Sequence, residues 1–195
     1  MGKRKKKIIG MESLRIKLDE IIDNEMRHDS KVWDLSIINE MQKKYGLVFP
    51  TDYVFYLQKY GNDYIKDDYL FKPKESLEEY LNQDSFEIDS IFGLYNDKNN
   101  LEKQILFYQD VIPSNLFPIA DLPGENLICM NKENQQIYFW IHDEVEDMYL
   151  VADSFSDFIM QFQFEQIEKV NLDDVELNLS SDLDDLLKKA AEKYR

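Results

Sequence analysis

The chain has 195 residues, 44% apolar and 13% aromatic, which supports one well-formed core but not two large ones and excludes global disorder. Its formal net charge of −16 sets like charge against like wherever the partner is nucleic acid or an anionic membrane, so both are argued against and basic surfaces are favoured. The single cysteine, Cys129, excludes an internal disulfide and suits a reducing, cytoplasmic setting, and no stretch approaches the about 20 apolar residues of a membrane helix.

The run Lys3-Arg4-Lys5-Lys6-Lys7 is followed by only Ile8 and Ile9, too little apolar sequence for a signal peptide. Residues 1–12 are therefore expected to be a disordered basic leader, with Met11 as a second start, in preference to a nucleic-acid-binding tail or an import address. Leu14, Leu18, Ile21 and Ile22 repeat at helical spacing. A second helix is predicted over Ser36 to Tyr45, with Ser36 as its cap, Ile37, Ile38, Met41 and Tyr45 as its buried stripe and Gly46 as its stop. After Phe49-Pro50, Thr51 is expected to cap a third helix that buries Tyr53, Tyr56, Leu57 and Tyr60 and ends at Gly61.

Tyr69 to Phe71 and Ile88 to Tyr95 read as short strands, with a helix around Leu77, Tyr80 and Leu81 between them. A polar turn from Asn96 to Asn100 precedes a helix from Leu101 to about Tyr108, and Pro113, Pro118 and Pro123 punctuate the loop that follows. Leu127 to Met130, Ile137 to His142 and Met148 to Ala152 read as three strands. The middle one is apolar on both faces, as a strand covered on both sides would be. Ser154-x-x-Asp157 opens a helix that buries Phe155, Phe158, Ile159 and Phe162. Beyond Val170 the composition turns acidic, and Leu183, Leu186, Leu187 and Ala190 mark a last helix.

Residues that carry chemistry are few. His28 sits in a polar link. His142 stands beside Asp143 and Glu144 without a second histidine at ligand spacing, so a strand-end side chain near water is preferred to a metal or acid–base role. Cys129 lies between Ile128 and Met130 in a strand, where a buried small apolar residue is preferred to a nucleophile. The glycines form no phosphate-cradling loop. Tyr53, Tyr56 and Tyr60 could stack bases, but helical spacing in an acidic chain assigns them to the core. No enzyme, cofactor or metal is expected. The acid itself gathers in predicted turns, at Asp67-Asp68, Asp97 and Asp143, Glu144, Glu146 and Asp147, and these seven residues are the candidate contacts for a basic partner.

Several segments, in order, resemble the SUKH superfamily. Phe49-Pro50-Thr51-Asp52-Tyr53 with Tyr60-Gly61 is similar to its Leu-Pro-x-Asp-Tyr signature, and Ile91-Phe92-Gly93-Leu94 to its short central strand. Phe117-Pro118-Ile119-Ala120, Gly124 to Met130, Ile137 to Glu144 and Val151 to Phe158 follow in register, so the likeness covers about residues 35 to 165. Phe49 replaces the usual leucine, and Ile141 stands where an acidic residue is common. The resemblance implies an α+β single domain, a central mostly antiparallel sheet flanked by helices, assigned to residues 13–170; residues 171–195, outside the resemblance, are expected to be an acidic linker and C-terminal helix. It also implies that no catalytic residues carry over, and an immunity protein that binds and neutralises a cognate secreted toxin, often a nuclease, in the producing bacterium; together with the charge of −16 this makes a basic nuclease domain the expected partner. The alternative is a regulatory scaffold that assembles signalling partners, as in fungal relatives. A monomer and a weak homo-oligomer are both compatible with the sequence.

Overall fold

A computed structural model describes residues 2–23, 25, 32–77, 81–88, 90–142 and 148–165, all within one compact unit, Met1–Glu165. Helix α1 spans Gly2–Ile21, so its bounds take in the basic run, and its side chains are described from Gly10 onward. Leu14, Leu18 and Ile21 are buried on one face, and Ile22 bridges to Ile65 just beyond the helix. Helix α2 spans Leu35–Tyr45 and is capped by Asp34, whose carboxylate accepts from Ser36 N–H at 2.8 Å. The cap therefore lies two residues before the expected Ser36. Ile38 and Met41 are buried, whereas Ile37 is 40% exposed because it sits about a quarter-turn off that stripe. Gly46 ends α2 in the left-handed region (φ 63°), as glycine readily does.

Helix α3 spans Thr51–Lys59 with Pro50 in the cap position and no side-chain cap bond, so Thr51 is its first helical residue rather than its cap. Proline fits there because the amide it lacks would have no partner within the helix. Tyr53, Tyr56, Leu57 and Tyr60 are all buried, as their spacing requires.

Strand β1 (Tyr69–Leu70) pairs antiparallel with β6 (Gln163–Phe164), and Phe71 bridges to Phe86. Leu81 N–H reaches Leu77 C=O at 2.8 Å, one helical turn, while Tyr80 lies outside the described residues. The described residues of the expected strand Ile88 to Tyr95 form no strand. Ser90, Ile91 and Gly93 bridge to three different partners, Tyr64, Ala120 and Asn100, so no ladder forms. The cause is a backbone crossing. A Cβ on Gly93 would stand 2.4 Å from Gly61 Cα, and one on Gly61 would stand 2.9 Å from Gly93 Cα. Two glycines let the chains touch where any side chain would part them.

Helix α4 spans Leu101–Tyr108 and is capped by Asn100, which accepts from Lys103 N–H at 3.0 Å. The main sheet is antiparallel throughout, in the order β2 (Leu116–Asp121), β3 (Leu127–Asn131), β4 (Ile137–Trp140), β5 (Met148–Ala152). Pro118, expected in a loop, lies within β2. An edge strand tolerates a residue without an N–H, and the register shifts beside it, between Pro118 and Ala120. Alternation divides the sheet cleanly. Ile128, Met130, Ile137 and Phe139 join the main core with α1, α3, Phe155, Phe158 and Ile159, while Leu127, Cys129 and Trp140 join a smaller cluster with Ile112, Leu116 and Tyr108. Both faces of β4 are thus covered.

Helix α5 spans Phe155–Met160, capped by Ser154, which accepts from Asp157 N–H at 3.1 Å. Its partner is α3, because Asp52 accepts from both Ser156 N–H (2.9 Å) and Ser156 Oγ–H (2.8 Å). Phe155 packs 4.9 Å from the Tyr53 ring and 5.4 Å from Tyr56. Helices on an antiparallel sheet define an α+β domain.

Each edge strand of the sheet carries a bulge, and each bulge accepts from a segment outside the ladder. Ile119 C=O on β2 takes Phe92 N–H at 2.7 Å. On β5, Val151 C=O and Leu150 C=O take Lys74 and Glu75 N–H, both at 3.0 Å, and Glu75 Oε2 accepts Leu150 N–H at 2.6 Å.

Candidate functional site

The predicted acidic contacts fall into different settings. Asp67 is exposed and Asp68 half-buried on the turn into β1, where Asp68 C=O accepts from Glu165 N–H at 2.9 Å. Cations crowd this turn. Lys17 pairs with Glu20 at 2.9 Å, and the Lys17 and Lys66 ammonium groups stand 5.3 and 5.7 Å from the Tyr69 ring centre. Burial, then the charges of Glu20 and Asp68, push the Tyr69 hydroxyl pKa up. The turn is a mixed-charge patch rather than an acidic one.

Asp97 faces inward. Its Oδ1 accepts from Asn62 Nδ2 at 2.6 Å and from Asn99 N–H at 2.7 Å, beside the glycine crossing. Asn62 is buried in the left-handed region (φ 70°), and its Oδ1 takes Tyr95 N–H at 3.2 Å. Asp97 is thus a clamp for two loops. Asp143, Glu144, Glu146 and Asp147 lie outside the described residues, as do His28 and the C-terminal helix.

The other chemical candidates are placed plainly. His142 is exposed, with Nε2 3.2 Å from Glu125 Oε2 and its backbone N–H on Asn126 Oδ1 at 3.1 Å. Among the described residues no group of three or more His, Cys, Asp or Glu could hold a metal, and no helix is long and apolar enough to cross a membrane. Cys129 is wholly buried, and burial raises its thiol pKa far above the usual value, away from nucleophilic chemistry.

Two surface features went unread in the sequence. The first is a cleft of about 180 Å³ between the end of α2, α4 and β2, lined by Tyr45, Leu47, Ile105, Ile112, Pro118 and Lys132 among others. Lys132 Nζ donates to Ser114 C=O at 2.7 Å, and burial lowers its pKa. The second is the outer face of the α4 C-terminus. Phe107 is 72% exposed, flanked by Leu106 and Val111 at 48% and 43%, and its ring meets Tyr108 edge-on at 4.8 Å. Burial, then the charges of Asp121 and Glu125, raise the Tyr108 pKa. The spacing Leu106, Phe107, Val111 carries no stripe signal, because these residues face away from the core that periodicity detects.

This arrangement, with a packed aromatic core and covered sheet edges, is that of an α+β domain. The sequence model of the SMI1 / KNR4 family (SUKH-1) matches residues 34–161. A relative from Bacillus subtilis (strain 168), named "SPbeta prophage-derived uncharacterized protein YokK", is 35% identical over 164 residues, covering 77% of this chain and 84% of its own length. The chain belongs to the SMI1 / KNR4 family (SUKH-1), as the resemblance carried by its motifs implied. The SUKH family is associated with immunity to toxins, and its members bind them.

Proposed function

We propose that this chain is an immunity protein that binds and neutralises a cognate secreted toxin, a basic nuclease domain, in the cytoplasm of the producing bacterium. Family membership carries the reading, and a net charge of −16 supports a basic partner, since complementary fields speed encounter and select against wrong partners. The protein acts by occupying the toxin and not by catalysis. Residues 13–170 form the neutralising domain, and the acidic contacts are drawn from Asp67, Asp68, Asp97, Asp143, Glu144, Glu146 and Asp147. Asp67 is the freest of the three described, whereas Asp97 serves the fold first.

Co-expression with the secreted-toxin gene encoded beside this one tests the reading. Growth rescue and a co-purifying complex are expected. A neighbour toxin that kills in the presence of this chain and forms no complex with it overturns the proposal.

A further inference from the structure

The patch at the end of α4 has the anatomy of an interface anchor. Its centre is Phe107, the most exposed large apolar side chain among the described residues. Exposed aromatics are costly to keep in water, and where they mark interfaces they tend to be rigid central anchors inside a polar rim. Phe107 is braced in this way. Its ring lies against Tyr108, and Tyr108 packs on the cluster of Ile112, Leu116, Leu127, Cys129 and Trp140 beneath the sheet. An anchor seated on a core loses little entropy on docking.

The rim is acidic. Asp110 follows the helix, Asp121 sits across from Leu127 of the cluster on which Tyr108 packs, and Glu125 ends the turn that joins β2 to β3. Two lysines around α4 are turned to other work. Lys103, one turn earlier on α4, lies 3.4 Å from Asp97 C=O, and Lys132 is tied to Ser114 C=O in the cleft. Charge complementarity selects among occupants. A second copy would set acid against acid, and the chain's own residues 171–195 hold more acidic than basic side chains. Strand addition is also disfavoured, because both edges of the main sheet are engaged.

We infer that Leu106, Phe107 and Val111, rimmed by Asp110, Asp121 and Glu125, form the docking surface for a basic protein partner that receives the Phe107 ring in an apolar pocket. The inference rests on the immunity reading and gives its partner a point of contact outside the seven acidic residues named there. The patch supplies affinity through the ring and selectivity through the rim.

The test uses the full chain, as wild type and as Phe107→Ala, with two probes. The first is the catalytically inactivated C-terminal domain of the neighbouring toxin, measured by calorimetry. The second is an amphipathic helical peptide with leucines at i, i+3, i+4 and i+7 and lysines elsewhere, mapped by amide chemical shifts. Because Phe107 is exposed, both proteins should melt at the same temperature. The expected result is about 30-fold weaker toxin binding by Phe107→Ala, with peptide shifts centred on Leu106, Phe107, Val111 and Glu125 that vanish in the variant. Toxin binding unchanged in Phe107→Ala, or peptide shifts centred elsewhere, overturns the docking surface and leaves the immunity reading standing. No toxin binding by wild type, with the peptide still seated on the patch, overturns the immunity reading and keeps the surface. Concentration-dependent dimers that Phe107→Ala abolishes, seen by sedimentation, would assign the patch to a second copy and overturn the proposal.

Discussion

Tyr53 and Tyr56 lie one turn apart on α3, stacked at 6.1 Å, yet their hydroxyls have different fates. Tyr56 Oη–H donates to Ile91 C=O at 2.7 Å, whereas Tyr53 Oη is buried with no hydrogen-bond partner among the described residues. A buried unpaired hydroxyl carries its desolvation cost uncompensated. Tyr53→Phe is therefore expected to be neutral or to stabilise by about 1 kcal/mol, and Tyr56→Phe to destabilise by about the same amount, read from urea midpoints. At the glycine crossing the sign is fixed by space. Gly93→Ala would drive a Cβ into Gly61 backbone and is expected to cost about 3 kcal/mol or more in the same measurement. Sequence alone reached the burial of both tyrosines, because helical spacing encodes which face turns inward. It could not reach their hydroxyls, the crossing or Phe107, because each depends on what a distant segment brings or fails to bring.

At the scale of elements, α3 and α5 are joined by a carboxylate. Asp52 occupies the first turn of α3, where negative charge is favoured, and accepts two hydrogen bonds from Ser156. The backbone N–H of Ser156 stays available when its hydroxyl is removed, so the side-chain bond can be measured by itself. A double-mutant cycle on Asp52→Ala and Ser156→Ala is expected to give a coupling of about 0.5–1.5 kcal/mol in stability, and additivity would show that the bond carries no weight. The helices and three strands of the main sheet were legible because each has a period and a stop signal. The segment Ile88 to Tyr95 was misread because its alternation is real but serves three separate bridges. Pro118 misled for a related reason. A proline argues against a strand only where the strand has neighbours on both sides, and edge position is not written locally.

For the whole molecule, charge sets opposite demands on folding and on partner binding. Like charges repel across the folded surface, and salt relieves that strain more than it weakens exposed pairs such as Arg15–Glu12. Raising salt from about 0.02 to about 0.5 M at neutral pH is expected to lift the melting temperature by about 2–4 °C. The same change should slow association with a basic toxin domain, as stopped-flow measurements would show. A protein whose stability and encounter rate both rise with salt would not fit this charge distribution.

The engagement of the β5 edge bears on how the protein survives crowding. Lys74 and Glu75 cover that edge as a short latch outside any regular ladder, with the Glu75 carboxylate holding one strand amide. A latch of that kind can open while the core stays folded, and what it uncovers is a template for another chain. Glu75→Pro removes both the amide donor and the carboxylate. It is expected to cost little in melting temperature yet to produce thioflavin-positive aggregates under native conditions, at concentrations where the wild-type chain remains clear. Shelf life would then be governed by two residues at the margin of the sheet rather than by the aromatic interior.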